Sequence, residues 1–280
     1  VLFDDFRLEA TPFPSSTSFT DDFEDSGSSL SNWSQHWATL GFPTLDGSQV
    51  AQITTGSGRG GIGLGGAKQY YSYNFTLQTS VYVTEGFSGG VFWAWEGTES
   101  SDSDYHITIG RDASNVKLNF TEELNSTGGG DETQLATYAE PATAGVFWYT
   151  IEVVADYRRY KVWFWKRGDP KPASPVIDIP QDLAHPGYRL FNLGALGLWI
   201  DSNQTGYFDD FYFQGTEAPS QNTPEGANVS VTPEPGLSLT FDSVTEGGTT
   251  TVETSTTAPG GGPGGLEFQG TYYDVNTTSV

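Results

Sequence analysis

The chain contains no cysteine, which excludes disulfides, thiol catalysis and thiolate metal sites. Its three histidines, His36, His106 and His185, do not cluster in the sequence, so we expect no zinc site. No apolar run reaches the length of about 18 residues that suggests a membrane-spanning helix. We therefore expect no membrane span.

Positive charge is also scarce. The chain has 12 basic and 35 acidic residues, and no lysine or arginine follows Arg189. A formal charge of −23 repels phosphate backbones and anionic lipids, so we expect no nucleic-acid partner. Because the chain starts at Val1 and contains no methionine, we expect a processed chain or a piece of a longer protein.

What is present favours β-structure. Apolar and polar side chains alternate from Tyr73 to Val83, which is typical of a strand with one buried face. Similar segments recur up to Phe213, separated by short stretches rich in Gly, Asp, Asn and Ser, and none shows helical periodicity. This rhythm predicts an all-β protein built as a two-sheet antiparallel sandwich.

Differences in amino-acid composition along the chain predict its division into four segments. Residues 217–236 are rich in Thr, Glu, Pro, Asn and Gly, which predicts a linker. We expect an N-terminal strand and linker at 1–15, the sandwich at 16–216, and a partial, Ig-like β segment at 237–280. That last segment has too few apolar side chains to bury a core alone.

An internal repeat links the two ends of the main unit. Residues 1–8 (VLFDDFRL) echo residues 206–213 (GYFDDFYF). The first copy has no preceding domain to close, so we expect it to pair with another chain and join subunits head to tail into a filament. The residues of this assembly strand are Leu2, Phe3, Asp4, Asp5, Phe6 and Leu8.

Four motifs resemble the concanavalin A-like or laminin G-like jelly-roll repeats of bacterial secreted and surface proteins. They are FTDDFED at 19–25 followed by Trp33, FWYTIEV at 147–153 leading to YKVW at 160–163, GDPKP at 168–172, and YFDDF at 207–211. The resemblance implies a jelly roll whose YFDDF strand closes the sandwich. It does not imply one function, because this fold serves lectins, glycanases and structural spacers.

The same resemblance implies a structural Ca²⁺ between the first and last strands, held by acidic residues. Counting by twos places Asp209 beside Tyr207, Phe211 and Phe213, facing inward, where a lone carboxylate is costly. The alternative is that each Asp simply accepts backbone hydrogen bonds at a strand end. The candidate ligands are Asp21, Asp22, Glu24, Asp209 and Asp210.

Two tryptophan pairs could stack on sugar rings. Trp93 with Trp95, and Trp163 with Trp165, are each predicted to share one face of a strand. Core packing is the alternative, since the intervening residues are also apolar.

No glycanase-like Glu-x-Asp-x-x-Glu pattern occurs, so we expect no enzyme. Glu96, Glu99, Asp102 and Asp104 are predicted to lie in a loop. His106 is predicted to be a solvated or hydrogen-bonded strand residue.

These observations favour a non-catalytic extracellular or cell-surface subunit that forms a homo-oligomeric filament. The alternative is a carbohydrate-binding adhesin module with a polysaccharide partner, and a plain spacer repeat remains open within both. Asn-x-Ser/Thr sequons fit a glycosylated surface. They occur at Asn32, Asn74, Asn119, Asn125, Asn203, Asn228 and Asn276.

Overall fold

The structure, a computed structural model, describes most of the chain. The described residues are 18–64, 70–71, 74–98, 101–126, 132–145, 147–156, 159–180, 193–216, 220–234, 237–255 and 272–277. Contacts between Cα atoms separate a large unit, Ser15–Thr216, from a smaller one that includes Glu217–Val280. The predicted assembly strand, from Leu2 to Leu8, lies outside the described residues and stays a prediction.

Strands make up nearly all of the regular structure. The helix is α1 (Ser26–Asn32). The strands of the large unit are β1 (Ser18–Asp21), β2 (Trp33–His36), β3 (Ala38–Gly41), β4 (Thr44–Leu45), β5 (Ser48–Gln49), β6 (Ala51–Thr55), β7 (Gly60–Leu64), β8 (Tyr70–Tyr71), β9 (Asn74–Tyr82), β10 (Ser88–Thr98), β11 (Ser101–Arg111), β12 (Asn115–Ser126), β13 (Glu132–Pro141), β14 (Trp148–Asp156), β15 (Arg159–Lys166), β16 (Ile177–Pro180), β17 (Leu193–Ile200) and β18 (Thr205–Thr216). Those of the smaller unit are β19 (Ser220–Thr223), β20 (Gly226–Glu234), β21 (Leu237–Val244), β22 (Gly248–Ser255) and β23 (Tyr272–Thr277). No helix in the described part of the chain is long and apolar enough to cross a membrane.

The large unit is a jelly-roll sandwich of two antiparallel sheets, which confirms the predicted fold class. Sheet 1 has the order β16-β15-β14-β9-β18-β6-β3, with β1 paired to β18. Sheet 2 has the order β13-β12-β11-β10-β17-β7-β2, with β8 paired to β17. Strands distant in sequence are thus neighbours in each sheet. The first strand, β1, pairs with the last strand of the unit, β18, as the predicted closure of the sandwich requires.

The core lies between the two sheets and is strongly aromatic. Trp93 of sheet 2 is its centre, with ring centroids 5.3 Å from Phe120 and 6.0 Å from Tyr105 in the same sheet. From sheet 1, Tyr160 lies 5.3 Å and Phe75 6.0 Å from it. Burying each such side chain stabilises the fold by about 1.5–3 kcal/mol. Because the cluster draws rings from both sheets, it stabilises the packing of one sheet on the other.

The closing strand β18 is central in sheet 1. The predicted opening strand, β1, pairs with it in the register Phe19 to Phe213. Asp210, however, has a left-handed backbone (φ 51°), and the pairing of β18 with β9 shifts at that point. This β-bulge reverses the alternation of sides, so the prediction that Asp209 faces inward with Phe211 is wrong. Asp209 lies opposite Ser80 on the outward face.

The smaller unit contains two further sheets, β19-β22-β23 and β20-β21. Both β19 and β20 lie within residues 217–236, so the prediction of a linker there is wrong. The Thr- and Pro-rich composition of these residues resembles that of a linker, although apolar and polar side chains alternate in β20. Val229 and Val231 are buried against Val244, Leu239 and Phe241.

Candidate functional site

The outward face of sheet 2 carries a cleft of about 950 Å³. Strand alternation explains its position, because Tyr105 and Phe120 on the opposite face of the sheet are buried in the core. We call it the sheet-2 cleft. Its lining comprises His36, Trp37, Gly56, Ser57, Gly58, Arg59, Gly60, Gly61, Phe92, Trp95, Asp104, His106, Glu123, Glu132 and Trp199.

A β-bulge in β10 sends one tryptophan to the core and the next to the cleft. Ala94 has a left-handed backbone (φ 56°), and β10 changes register there against both β11 and β17. Trp93 is 1% exposed in the core, whereas Trp95 lines the cleft. The prediction that these two side chains share a face is therefore wrong, because counting by twos fails across an inserted residue.

Aromatic rings form much of the cleft lining. The rings of His36 and Trp95 have centroids 5.3 Å apart, and Trp37 is 49% exposed. Trp199 packs edge to face with His106 at 5.3 Å, and the Arg59 guanidinium lies over the Trp199 ring, also at 5.3 Å. The Trp199 indole N–H is buried and has no hydrogen-bond acceptor among the described residues.

Three ionisable groups meet in the cleft. Asp104 and His106 lie two residues apart on β11 and therefore share its outward side, and Asp104 pairs in register with Glu123 of β12. One ligand atom from each of the three lies within 4.8 Å of the others. We call this group the Asp-His-Glu triad. The prediction of a loop around Asp104 is wrong, since residues 101–111 form β11.

Within the triad, His106 Nδ1 lies 2.7 Å from Asp104 Oδ1, which matches the hydrogen-bonded alternative for this histidine. Burial disfavours the protonated ring. The Asp104 carboxylate outweighs that effect, so the pKa of His106 lies above its ordinary value.

Arg59 is the one basic side chain among the described residues that line the cleft. It pairs with Glu132 and lies 4.0 Å from Glu123 and 3.9 Å from Asp201. Three carboxylates and one guanidinium thus line the cleft, a formal charge of −2 with neutral histidine. The cleft attracts cations.

Sequence reasoning missed most of this site. The Asp-x-His spacing at 104–106 places two polar side chains on one face of a strand, and this signal could have marked it. Arg59, Glu132 and Trp199 come from distant segments, and only the strand order brings them to the same cleft.

The predicted calcium ligands are only partly brought together. Asp21, Asp22 and Asp210 line a shallow groove of about 440 Å³ next to β1 and β18, whereas Glu24 and Asp209 do not. Glu24 accepts hydrogen bonds from Ser48 Oγ at 2.6 Å and from the Gln49 backbone N–H at 3.1 Å.

The remaining predicted ligands also have partners within the protein. Asp21 accepts from the Ser29 hydroxyl at 2.7 Å and the Trp33 indole N–H at 2.8 Å. Arg167 donates to both Asp209 and Asp210, at 2.8 and 2.6 Å. Burial and the neighbouring Asp210 raise the pKa of Asp209, and Arg167 opposes them. These partners are side chains, whereas the alternative was backbone hydrogen bonds. Asp21, Asp22 and Asp209 also accept one backbone N–H each, from the residues Phe23, Glu24 and Asp210. Calcium binding here stays a prediction.

The second tryptophan pair lies on sheet 1. Trp163 and Trp165 are half-buried on the outward side of β15 and alternate with the buried Val162 and Phe164. The Lys171 ammonium lies 4.1 Å from the centroid of the Trp163 ring and pairs with Glu152. These residues share a face, but they line neither the sheet-2 cleft nor the groove beside β1.

The sequons differ in exposure. Asn203 and Asn228 are exposed, with left-handed backbones of φ 57° and 54°. Asn32 and Asn119 are half-buried, and the side chains of Asn74, Asn125 and Asn276 lie outside those described.

Comparison with known proteins identifies the fold and no family. No known protein family and no curated protein matches the sequence. A Bacillus subtilis protein of unknown function with a galectin-like fold is 11% identical, with a TM-score of 0.52 over 72% of this chain and 97% of that one. The large unit thus has the concanavalin A-like fold that the four motifs predicted.

Two further solved structures are similar to this chain. A legume lectin-like domain from Entamoeba histolytica is 12% identical, with a TM-score of 0.47 over 69% of this chain and 94% of the domain. A GH16 protein from Bacteroides ovatus is also 12% identical, with a TM-score of 0.41 over 70% of this chain and 98% of its own.

Proposed function

We propose that the chain is a carbohydrate-binding protein and that the sheet-2 cleft receives the glycan. The observation that carries this proposal is the meeting of Trp37, Trp95 and Trp199 with charged side chains in one open cleft. Its volume of about 950 Å³ lies within the range of small-molecule sites. Apolar ring faces with a few polar groups are what a pyranose, with its apolar faces and hydroxyl edge, requires.

The charges of the cleft favour one class of glycan. Glu123 and Glu132 can accept hydrogen bonds from sugar hydroxyls, and Arg59 can donate. The lining carries a formal charge of −2 and the chain −23. Polyanionic glycans are therefore disfavoured, and we propose a neutral polysaccharide as the ligand.

The proposed setting is extracellular, with the exposed sequons Asn203 and Asn228 as glycosylation sites. Binding is proposed to occur without catalysis. Filament formation depends on the strand from Leu2 to Leu8 and stays a separate prediction.

Substitution of Trp95 tests the proposal. Trp95→Ala should weaken binding to a neutral oligosaccharide selected from a glycan array by about 30-fold, since buried tryptophan contacts often contribute about 2 kcal/mol. Trp165→Ala, which removes an aromatic ring from sheet 1, is the matched control and should bind like the unaltered protein. Isothermal titration calorimetry measures both. Equal loss in the two variants, or binding that only Trp165→Ala removes, contradicts the proposed site.

A reducing-sugar assay on the selected polysaccharide tests the absence of catalysis. We expect no release of reducing ends. Release that stops in Glu123→Gln would instead identify the cleft as a hydrolase site.

A further inference from the structure

We propose that the Asp-His-Glu triad binds a divalent transition-metal ion, with Zn²⁺ as the representative ion. The ion would take one oxygen each from Asp104 and Glu123 and one ring nitrogen from His106. This inference stands apart from glycan binding, because the triad can hold an ion whether or not a sugar enters the cleft.

The first support is geometric. The three ligand atoms lie within 4.8 Å of one another. Ligands of a tetrahedral ion with bonds of about 2.0–2.2 Å lie about 3.5 Å apart, so the side chains must move closer to a common centre. The 2.7 Å hydrogen bond between His106 Nδ1 and Asp104 Oδ1 must open as the ion binds. The register of β11 against β12 holds Asp104 opposite Glu123, and the inward side chains of both strands, such as Tyr105 and Phe120, are buried in the core.

The second support is electrostatic. Asp104 and Glu123 are 8% and 7% exposed, and buried carboxylates are costly unless a positive charge compensates them. His106 Nδ1 lies 2.7 Å from Asp104, and Arg59 lies 4.0 Å from Glu123 and closer to Glu132, so these contacts supply part of that compensation. A divalent ion would neutralise the formal charge of −2 that the described lining of the cleft carries.

The third support is an unused donor beside the triad. Among the described residues, the buried Trp199 indole N–H has no acceptor, and the Trp199 ring packs against His106. Three protein ligands leave coordination positions open to the cleft. A water or hydroxyl oxygen bound there would offer an acceptor within the same cleft.

The donor set determines the kind of ion. Imidazole nitrogen suits zinc and its transition-metal neighbours, whereas Ca²⁺ prefers six to eight oxygen ligands. A site of two carboxylates and one imidazole therefore favours Zn²⁺ over Ca²⁺.

Calorimetry on the full chain, stripped of metal with a chelator and titrated with Zn²⁺ alone, tests the proposal. We expect one saturable site. Glu123→Gln and His106→Gln should each weaken Zn²⁺ binding by at least about 100-fold. Loss of a residue that only hydrogen-bonds to a metal ligand usually weakens binding less than this. Glu132→Gln removes the same charge from the same cleft without removing a triad ligand, and should stay within about threefold of the unaltered protein.

Three results would overturn the proposal. They are the absence of a saturable Zn²⁺ site, equal weakening by Glu132→Gln and Glu123→Gln, and Ca²⁺ binding as tight as Zn²⁺ binding. Thermal unfolding of each variant checks its fold. If Glu123→Gln does not fold, the visible spectrum of bound Co²⁺ decides between the outcomes, because loss of a nitrogen ligand in His106→Gln must change that spectrum.

Discussion

Single side chains in this protein have roles set by the side of the sheet they occupy, and Trp93 and Trp95 show this most clearly. Trp93 contacts four aromatic rings drawn from both sheets, so its removal leaves a cavity at the centre of the core. Trp95 lies beyond the bulge at Ala94 and contacts His36 in the cleft. Residues of the same type, two positions apart, thus lie in separate environments, one in the core and the other in the proposed binding cleft.

We predict that Trp93→Ala lowers the free energy of unfolding by about 3–5 kcal/mol, since the transfer and cavity costs add. Trp95→Ala should lower it by no more than about 1 kcal/mol, because little of the core contacts it. Urea unfolding followed by circular dichroism measures both. Similar losses in the two variants would show that Trp95 is also a core residue.

At the scale of elements, the segment from Gly56 to Gly61 contains glycines in open space and glycines packed closely against a neighbouring strand. A Cβ atom on Gly61 would lie 2.3 Å from the carbonyl oxygen of Leu198, so β7 can approach β17 only without a side chain there. Nothing lies within 4 Å of a Cβ atom on Gly58, which faces open space. The two glycines therefore differ in their structural role. Gly61 is needed for the close approach of β7 to β17, whereas Gly58 is not constrained by neighbouring atoms.

We predict that Gly61→Ala destabilises the fold by about 1–3 kcal/mol, because the added methyl group must push two paired strands apart. Gly58→Ala should change stability by less than about 0.5 kcal/mol. Thermal unfolding measures the difference, and amide hydrogen exchange in β17 should rise in Gly61→Ala alone. Unchanged exchange at Leu198 and Trp199 would contradict the close approach.

The strands were easier to predict than the face of the sheet on which each of their side chains lies. Alternation of apolar residues marked β9, β14, β15 and β18, because burial of one face leaves a period of two in the sequence. Ala94 and Asp210 interrupt that period without a glycine or proline to signal it. The sides of Trp95 and Asp209 were therefore assigned wrongly. The triad was missed because the pairing of β11 with β12 at Asp104 and Glu123 is a matter of register, which one sequence does not encode visibly.

At the scale of the whole molecule, the main core belongs entirely to the large unit. Its buried residues run from Phe23 to Phe213, and the smaller unit has a separate cluster of Val229, Val231 and Val244. The fold class was predictable because it depends on the rhythm of strands and turns. The division into units was harder, because β19 and β20 have the composition of a linker.

We predict that a fragment of residues 15–216 folds on its own, since no described residue beyond Phe213 belongs to its core. Differential scanning calorimetry should give one cooperative transition for the fragment, close in temperature to the main transition of the full chain. A fragment without near-ultraviolet circular dichroism from its packed tryptophans would contradict this independence.

Under the proposed function, the bulge at Ala94 allows ligand recognition to change independently of folding. Residues before it follow one alternation and residues after it the other, so the outer half of β10 can vary in sequence while Val91 and Trp93 keep the interior unchanged. If the cleft binds a glycan as proposed, substitutions at position 95 alter ligand preference at little cost to stability. Deletion of a single residue nearby would instead turn the following side chains from the outward face to the core.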